Sequence, residues 1–401
     1  MSGRDSSSNP PTGERPVEPM DTASSSLDAA WWTAGGSAAR SGLGSQRGPL
    51  RRHPSRRFAG RGAIQAAVVF DGEGRALVAD LAGAVQAYAA TGSLLWRVQL
   101  NGGISAAPAV DVAGCRGFVG THTGRVQALD TRTGATIWQR ELPTASDPRI
   151  LSDLLYLAPV GLVVLSSWGG RFRALDAASG AERFAWDAGI SPASAASADH
   201  DGNVYCLRAV AGRGTELVQV APAGVEQVLH GVGEGQRGAR RMLTTAAPVV
   251  DEARHRVYAV VNPDRGSILV AWSVREQKVT WTCALPNAVQ ATPTLDGEGR
   301  LFLPDLAGVI QRVNPEGGLE SAIPLDCEYL LAGGVCDGDG RFHLGDPWGR
   351  IHTVEAGTRH RVLFEAHRSV QARPAFGSDG SLYVPCTDHE AYVFVPASQA
   401  A

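Results

Sequence analysis

From about Ala63 to the C-terminus, apolar and polar residues alternate in short runs separated by Asp-Gly, Thr-Gly and similar pairs. Alternation at period two puts successive side chains on opposite faces of a strand, and Asp-Gly suits a tight hairpin turn. Residues 70–96 (FDGEGRALVADLAGAVQAYAATGSLLW), 110–138 (VDVAGCRGFVGTHTGRVQALDTRTGATIW) and 295–313 (LDGEGRLFLPDLAGVIQRV) share one layout. A strand enters an Asp/Gly hairpin, a second strand follows, and a glycine turn leads to a third. The first two segments continue through Thr91-Gly92 or Thr133-Gly134 into a fourth strand bearing Trp96 or Trp138.

The glycine between the second and third strands marks each copy. It recurs at Gly83, Gly124, Gly170, Gly214, Gly266, Gly308 and Gly349, with His389 in the eighth place, at steps of 40 to 52 residues. One four-stranded sheet cannot bury both of its faces alone, so a repeat of ~40–45 residues predicts the blades of a propeller. The last copy stops after its third strand, near Val393–Val395. Ile64-Gln65-Ala66-Ala67 aligns with Ile104-Ser105-Ala106-Ala107, which leaves residues 54–60 where an outer strand belongs. The predicted fold is therefore all-β: an eight-bladed propeller of four-stranded antiparallel blades, closed by an N-terminal strand. Residues 51–401 form that ring, and residues 1–50 are expected to be largely disordered, with an anchor at Trp31-Trp32.

Composition narrows the function classes. The chain has 401 residues, with 37 basic against 40 acidic ones and a net charge of −3, which argues against a nucleic-acid partner. The 48 glycines and 23 prolines suit a turn-rich β protein. Lys278 is the sole lysine, and no Gly-Lys-Ser/Thr phosphate loop occurs. No run approaches the ~18 apolar residues of a membrane span. Residues 1–27 are rich in Ser, Pro, Asp and Glu and carry neither a secretory core nor a lipid-attachment cysteine, so a cytoplasmic location is expected. The six cysteines are scattered without a CxxC pair, which favours buried free thiols over disulfides or zinc.

Residues 128–138 (ALDTRTGATIW) resemble the repeat of the quinoprotein, or PQQ-like, propellers, whose motif is Ala-Leu-Asp-x-x-Thr-Gly-x-x-x-Trp. Residues 174–184 (ALDAASGAERF) and 87–96 (AYAATGSLLW) are looser copies, and residues 31–44 (WWTAGGSAARSGLG) are similar to a segment that often precedes such rings. The resemblance implies that Trp96, Trp138 and Trp281 pack between blades. It also implies a kinship with the eight-bladed outer-membrane assembly lipoproteins, although this chain shows no lipobox. The family's enzymes hold pyrroloquinoline quinone and Ca²⁺ over the channel, commonly with a tryptophan floor, an adjacent cysteine pair and an acidic base. Adjacent cysteines and long covering loops are missing here, so neither quinone nor Ca²⁺ is expected.

The remaining candidates for chemistry divide by turn logic. The hairpins at Asp71, Asp296 and Asp337 carry carboxylates that suit hard cations, but Asp-Gly is also turn chemistry, and the turn reading is preferred. Asp80, Asp305 and Asp346 recur in phase and read as turn caps. The ten histidines show no HxH or HExxH, and no GxSxG anchors a Ser-His-Asp triad. A ligand would meet the polar channel rim at Gln65, Ser105, Ser191, Thr244, Gln290 and Gln371. The longest repeat step contains the Gly-rich connector 231–242, whose Arg237, Arg240 and Arg241 could grip an anionic small ligand, with a solvated loop as the plainer reading. Arg40, Arg47, Arg51, Arg52, Arg56, Arg57 and Arg61 form an acid-free run, read either as an anion-docking surface or as charge guarding a sheet edge. The favoured function is a non-catalytic, monomeric scaffold for a protein partner. The alternative is an oxidoreductase, lyase or hydrolase at the channel mouth.

Overall fold

The computed structural model describes residues 31–50, 52–143, 147–168, 171–187, 189, 194–210, 214–232, 245–262, 266–355 and 357–396. Eight four-stranded antiparallel sheets follow one another in chain order, and the assigned elements are all strands. Blade 1 shows the rule: Val69–Phe70, Ala76–Ala79, Ala84–Tyr88 and Leu94–Gln99 run from the innermost to the outermost strand. The inner three strands are buried on both faces, while the outermost alternates, so the core lies between neighbouring blades. No helix among the described residues is long and apolar enough to cross a membrane.

Blade 8 draws its outer strand from the other end of the protein. Arg56–Ala59 pairs antiparallel with Glu390–Phe394, in the register Arg56↔Val393 to Ala59↔Glu390. Phe58 is fully buried there and stacks on Tyr88 of blade 1 at 4.4 Å, which joins the last blade to the first. Pairing this strand removes the open edge that an unclosed ring would present.

The turns confirm the periodic marker. Gly83, Gly124, Gly214, Gly266, Gly308 and Gly349 all have positive φ, and His389 adopts φ 75° in the eighth place; Gly170 lies outside the described residues. Asp80, Asp305 and Asp346 cap the same turn, each Oδ1 accepting from the backbone N–H groups two and four residues on. At the opposite end of the blades, Asp71, Asp296 and Asp337 cap the hairpins in the same way and hold Arg75, Arg300 and Arg341. Their carboxylates are thus occupied by turn N–H groups and guanidinium.

Trp96, Trp138 and Trp281 sit between blades. Each indole N–H donates to a carbonyl of the next blade, at Thr131, Ala177 and Pro315. Each ring also lies against a turn glycine of that blade, where a Cβ on Gly134, Gly180 or Gly317 would come within 2.7 Å of it.

Residues 31–44 are threaded through the centre of the ring. The carbonyls of Trp31, Trp32, Ala38, Ala39, Ser41 and Gly42 accept, in turn, from the innermost strands of blades 1, 2, 4, 5, 6 and 7, at Phe70, Val110, Ala198, Val250, Leu295 and Cys336. Thr33 Oγ1 donates to Leu154 in blade 3, and Trp31 packs edge-on against Phe376 in blade 8. Inner strands have a free edge facing the channel, and this segment satisfies it. The anchor thus extends beyond Trp31-Trp32.

The Arg40–Arg61 run does not form one surface. Arg40 is buried in the channel, Arg47 pairs with Asp339 at 3.1 Å, Arg56 donates to the Ala90 carbonyl, and Arg57 covers the Tyr392 ring. Period-two geometry and the threading of the chain send these side chains in different directions.

Candidate functional site

In six blades, those whose entry residues are described, the innermost strand is entered by a fixed step. A buried aliphatic residue (Ile64, Ile104, Ile150, Val289, Leu330 or Val370) anchors the entry, and the next residue turns into the channel. The rim therefore consists of Gln65, Ser105, Leu151, Thr245, Gln290, Leu331 and Gln371 around one cavity of about 220 Å³. Gln65 Nε2 donates to Gln371 Oε1 at 2.8 Å across blades 1 and 8, and Thr245 Oγ1 donates to the Gln290 carbonyl. Sequence reasoning named Gln65, Ser105, Gln290 and Gln371 correctly as neighbours. In blade 5 the lining residue is Thr245; Thr244 and Ser191 lie outside the described residues, as do Arg237, Arg240 and Arg241.

Two positions deeper, six blades carry a small or neutral residue: Ala67, Ala107, Ala195, Ala247, Thr292 or Gly333. Two depart. Blade 3 has Asp153 and blade 8 has Arg373, while the threaded segment adds Arg40 and Ala34 to the floor. Arg40 is 1% exposed and Arg373 8%. Arg40 donates to the carbonyls of Ala34, Asp153, Leu154 and Ala196, and its Nη1 lies 3.7 Å from Asp153 Oδ2. Arg373 donates to the carbonyls of Arg40, Pro293 and Gly334 and to Thr294 Oγ1. The two guanidinium groups rivet the threaded segment to blades 3, 4, 6 and 7. Gly35 and Gly42 make room for them, since a Cβ at either would come within 2.4 Å of Arg373. Burial, and then the neighbouring Arg40 charge, push the pKa of Arg373 down to about 9. Burial lowers that of Arg40 as well, against the pull of Asp153. Phase alignment of the repeats would have exposed Arg373 and Asp153 as departures; nothing local in the sequence pairs Arg40 with a residue 333 positions away.

One rim contact has catalytic form. Ser105 Oγ lies 2.8 Å from His122 Nε2. The carboxylate in range of His122, Asp147, is held by the Arg149 guanidinium, and burial followed by the Arg149 charge lowers the His122 pKa. Blade 7 contains two further histidines that spacing did not reveal as buried. His343 contacts Asp337 and Thr353, while His352 bridges Asp346 and His360.

The described lining bears on cofactor chemistry through its donor set. No aromatic side chain lines the cavity, and Asp153 is its one carboxylate among the described residues. No group of three His, Cys, Asp or Glu residues able to hold a metal occurs among them, and the six cysteines are free. This donor set does not suit a quinone with its calcium.

The mouth face also carries exposed apolar groups. In each blade the turn after the second strand and the loop entering the first lie at the same end, because the strands alternate in direction. In blade 7 that end presents Trp348, Tyr329 and Leu331, which are 66%, 59% and 49% exposed.

The family model described as outer membrane protein assembly factor BamB (PQQ_2) matches residues 28–203 and 82–318. Among solved structures, BamB from Moraxella catarrhalis aligns at 18% identity over 87% of this chain and 98% of its own, with a TM-score of 0.67. The quinohemoprotein alcohol dehydrogenase from Comamonas testosteroni aligns at 13% identity over 93% and 81%, with a TM-score of 0.71. The Dos1 propeller aligns at 12% over 86% and 94%, with a TM-score of 0.65. At such identities the structural likenesses establish the ring alone. Comparison with the curated proteins found no match.

Proposed function

The chain belongs to the family described as outer membrane protein assembly factor BamB, and from that premise we propose that it is a rigid, non-catalytic scaffold that docks a protein partner. Its docking face is the channel mouth together with the blade edges. The observation that carries this reading is the trio Tyr329, Leu331 and Trp348 on the mouth face of blade 7. Aromatic side chains exposed to this degree are costly in water and are the usual anchors of protein interfaces. The Trp348 N–H donates to Asp346 Oδ1 and the Tyr329 N–H to the Leu306 carbonyl, so the backbone that carries them is ordered before a partner docks. A monomeric ring without quinone or Ca²⁺ is part of the proposal; it draws on a cavity lining that, among the described residues, carries no aromatic side chain and one carboxylate.

A photo-crosslinker at position 348 tests the docking face in cells. The expected result is one discrete protein adduct that disappears when Tyr329→Ser and Leu331→Ser are added. A crosslinker at exposed Glu276 should give no such adduct. Equal adducts from both positions, or none from 348, would contradict the proposal.

A second reading, a hydrolase at the mouth, draws on the Ser105–His122 contact alone, with the serine as nucleophile and the imidazole as base. A fluorophosphonate probe would label Ser105 if it held, and label loss in His122→Ala would complete the case. An unlabelled protein removes it.

A further inference from the structure

We propose that the floor of the central channel is a binding site for a small oxyanion, with Arg40 and Arg373 as its cationic base and the Gln/Ser/Thr rim as its neutral wall. The site lies beneath the proposed docking face and shares Leu331 with it, but its support is separate, resting on the two arginines and not on Tyr329 or Trp348. Its first support is charge. Two buried guanidinium groups share the cavity of about 220 Å³ with a single carboxylate, Asp153, so the described lining is one positive charge in excess. Asp153 is not a free counter-ion either: its Oδ1 accepts from the Ala107 N–H at 2.8 Å, and its Oδ2 stands 3.7 Å from Arg40. Buried charge of one sign favours a ligand of the other, because the attraction is weakly screened away from bulk water.

Donor accounting is the second support. A guanidinium offers five N–H groups. Arg373 commits four of them to Gly334, Arg40, Pro293 and Thr294, and among the described residues no acceptor takes the second N–H of Nη1. Around it the wall supplies further donors without charge, at Gln65, Gln290, Thr292 and Gln371. That mixture suits a phosphate, sulfate or small carboxylate better than a cation or an apolar ligand. The cavity is large enough for such an ion with part of its water, given that one water needs roughly 10–15 Å³ of such volume. The direction of the Arg373 shift agrees, since a bound anion would relieve the cost of holding its charge in the interior.

The experiment is calorimetric titration of the full chain with inorganic phosphate in a chloride-free buffer, with sulfate and succinate as parallel arms. Saturable one-site binding of at least one of the three is expected, and the arm that binds identifies the chemistry. Gln371→Glu places a competing charge in the rim without touching the arginine rivets, and should weaken binding by at least about tenfold. Should that variant fail to fold, Thr245→Glu introduces the charge from blade 5 and should have the same effect. Changing Arg237, Arg240 and Arg241 together to Gln should leave the affinity unchanged. The site is disproved if all three anions fail to saturate, if the rim variant binds like the wild type, or if the triple variant abolishes binding.

Discussion

At position 389 the ring tolerates a left-handed residue that is not glycine. His389 has φ 75°, where six of the other repeats place glycine at positive φ. A side chain in that region costs on the order of 1 kcal/mol, partly offset by the greater freedom glycine gives the unfolded chain. His389→Gly should therefore stabilise the protein by about 0.5 kcal/mol, read from urea unfolding; a loss of stability would mean that the imidazole has a role of its own. Trp138 is the converse case, a side chain that its turn requires. It fills the space above Gly180 and donates to Ala177, so Trp138→Ala should cost about 3 kcal/mol in the same assay. Asp130 sets an acid limit. Hydrogen bonds from Arg132 above all, joined by its backbone neighbours, lower its pKa to about 2. A carboxylate with a depressed native pKa adds stability above its unfolded value, near 4, and loses it as pH falls through the native value. Asp130→Asn should thus be less stable than the wild type at pH 7, and the gap should close between about pH 4 and 2. A gap that persists at pH 2 would assign the loss to the turn rather than to the charge.

At the scale of strands, the repeated blade was legible because local chemistry repeats with it: Asp at the hairpin, Gly at the positive-φ turn, Trp against the next blade. The bulge between third and fourth strands was less so. It falls at Ala87/Tyr88, Ala128/Leu129, Ala174/Leu175, Leu217/Val218, Ala271/Trp272, Arg312/Val313 and Ile351/His352, one per blade in blades 1 to 7. Blade 8 pairs Arg56–Ala59 with its neighbour in continuous register. A fourth strand that arrives from the far end of the chain has no turn connecting it to the third, and so lacks the geometric demand that the bulge meets elsewhere. Phe58 measures what that strand contributes. Its ring is fully buried and stacked on Tyr88, and Phe58→Ala should cost about 3–4 kcal/mol. A cost below about 1 kcal/mol would show that the strand adds little to closure.

Across the whole molecule, long-range meetings were the part that sequence could not announce. The rim at Gln65, Ser105, Gln290 and Gln371 was readable because each residue occupies the same phase of its repeat. The floor was not, since Arg40 reaches the channel from a segment that belongs to no repeat and meets Arg373 only after the ring has closed. The same threading takes Arg40 out of what reads, in one dimension, as a basic surface run. The architecture follows the same division: a ring whose mouth is preformed, with its plug and its zip both drawn from the first sixty residues.

That architecture is tested most directly by hydrogen–deuterium exchange on the intact protein, followed through residues 31–60. The ring described here requires the amides of Gly36, Gly42, Gly44, Ser55 and Gly60, each hydrogen-bonded to a backbone carbonyl, to exchange as slowly as those of the blade strands. Exchange of these amides at the rate of an unprotected chain, while the blades stay protected, would contradict it.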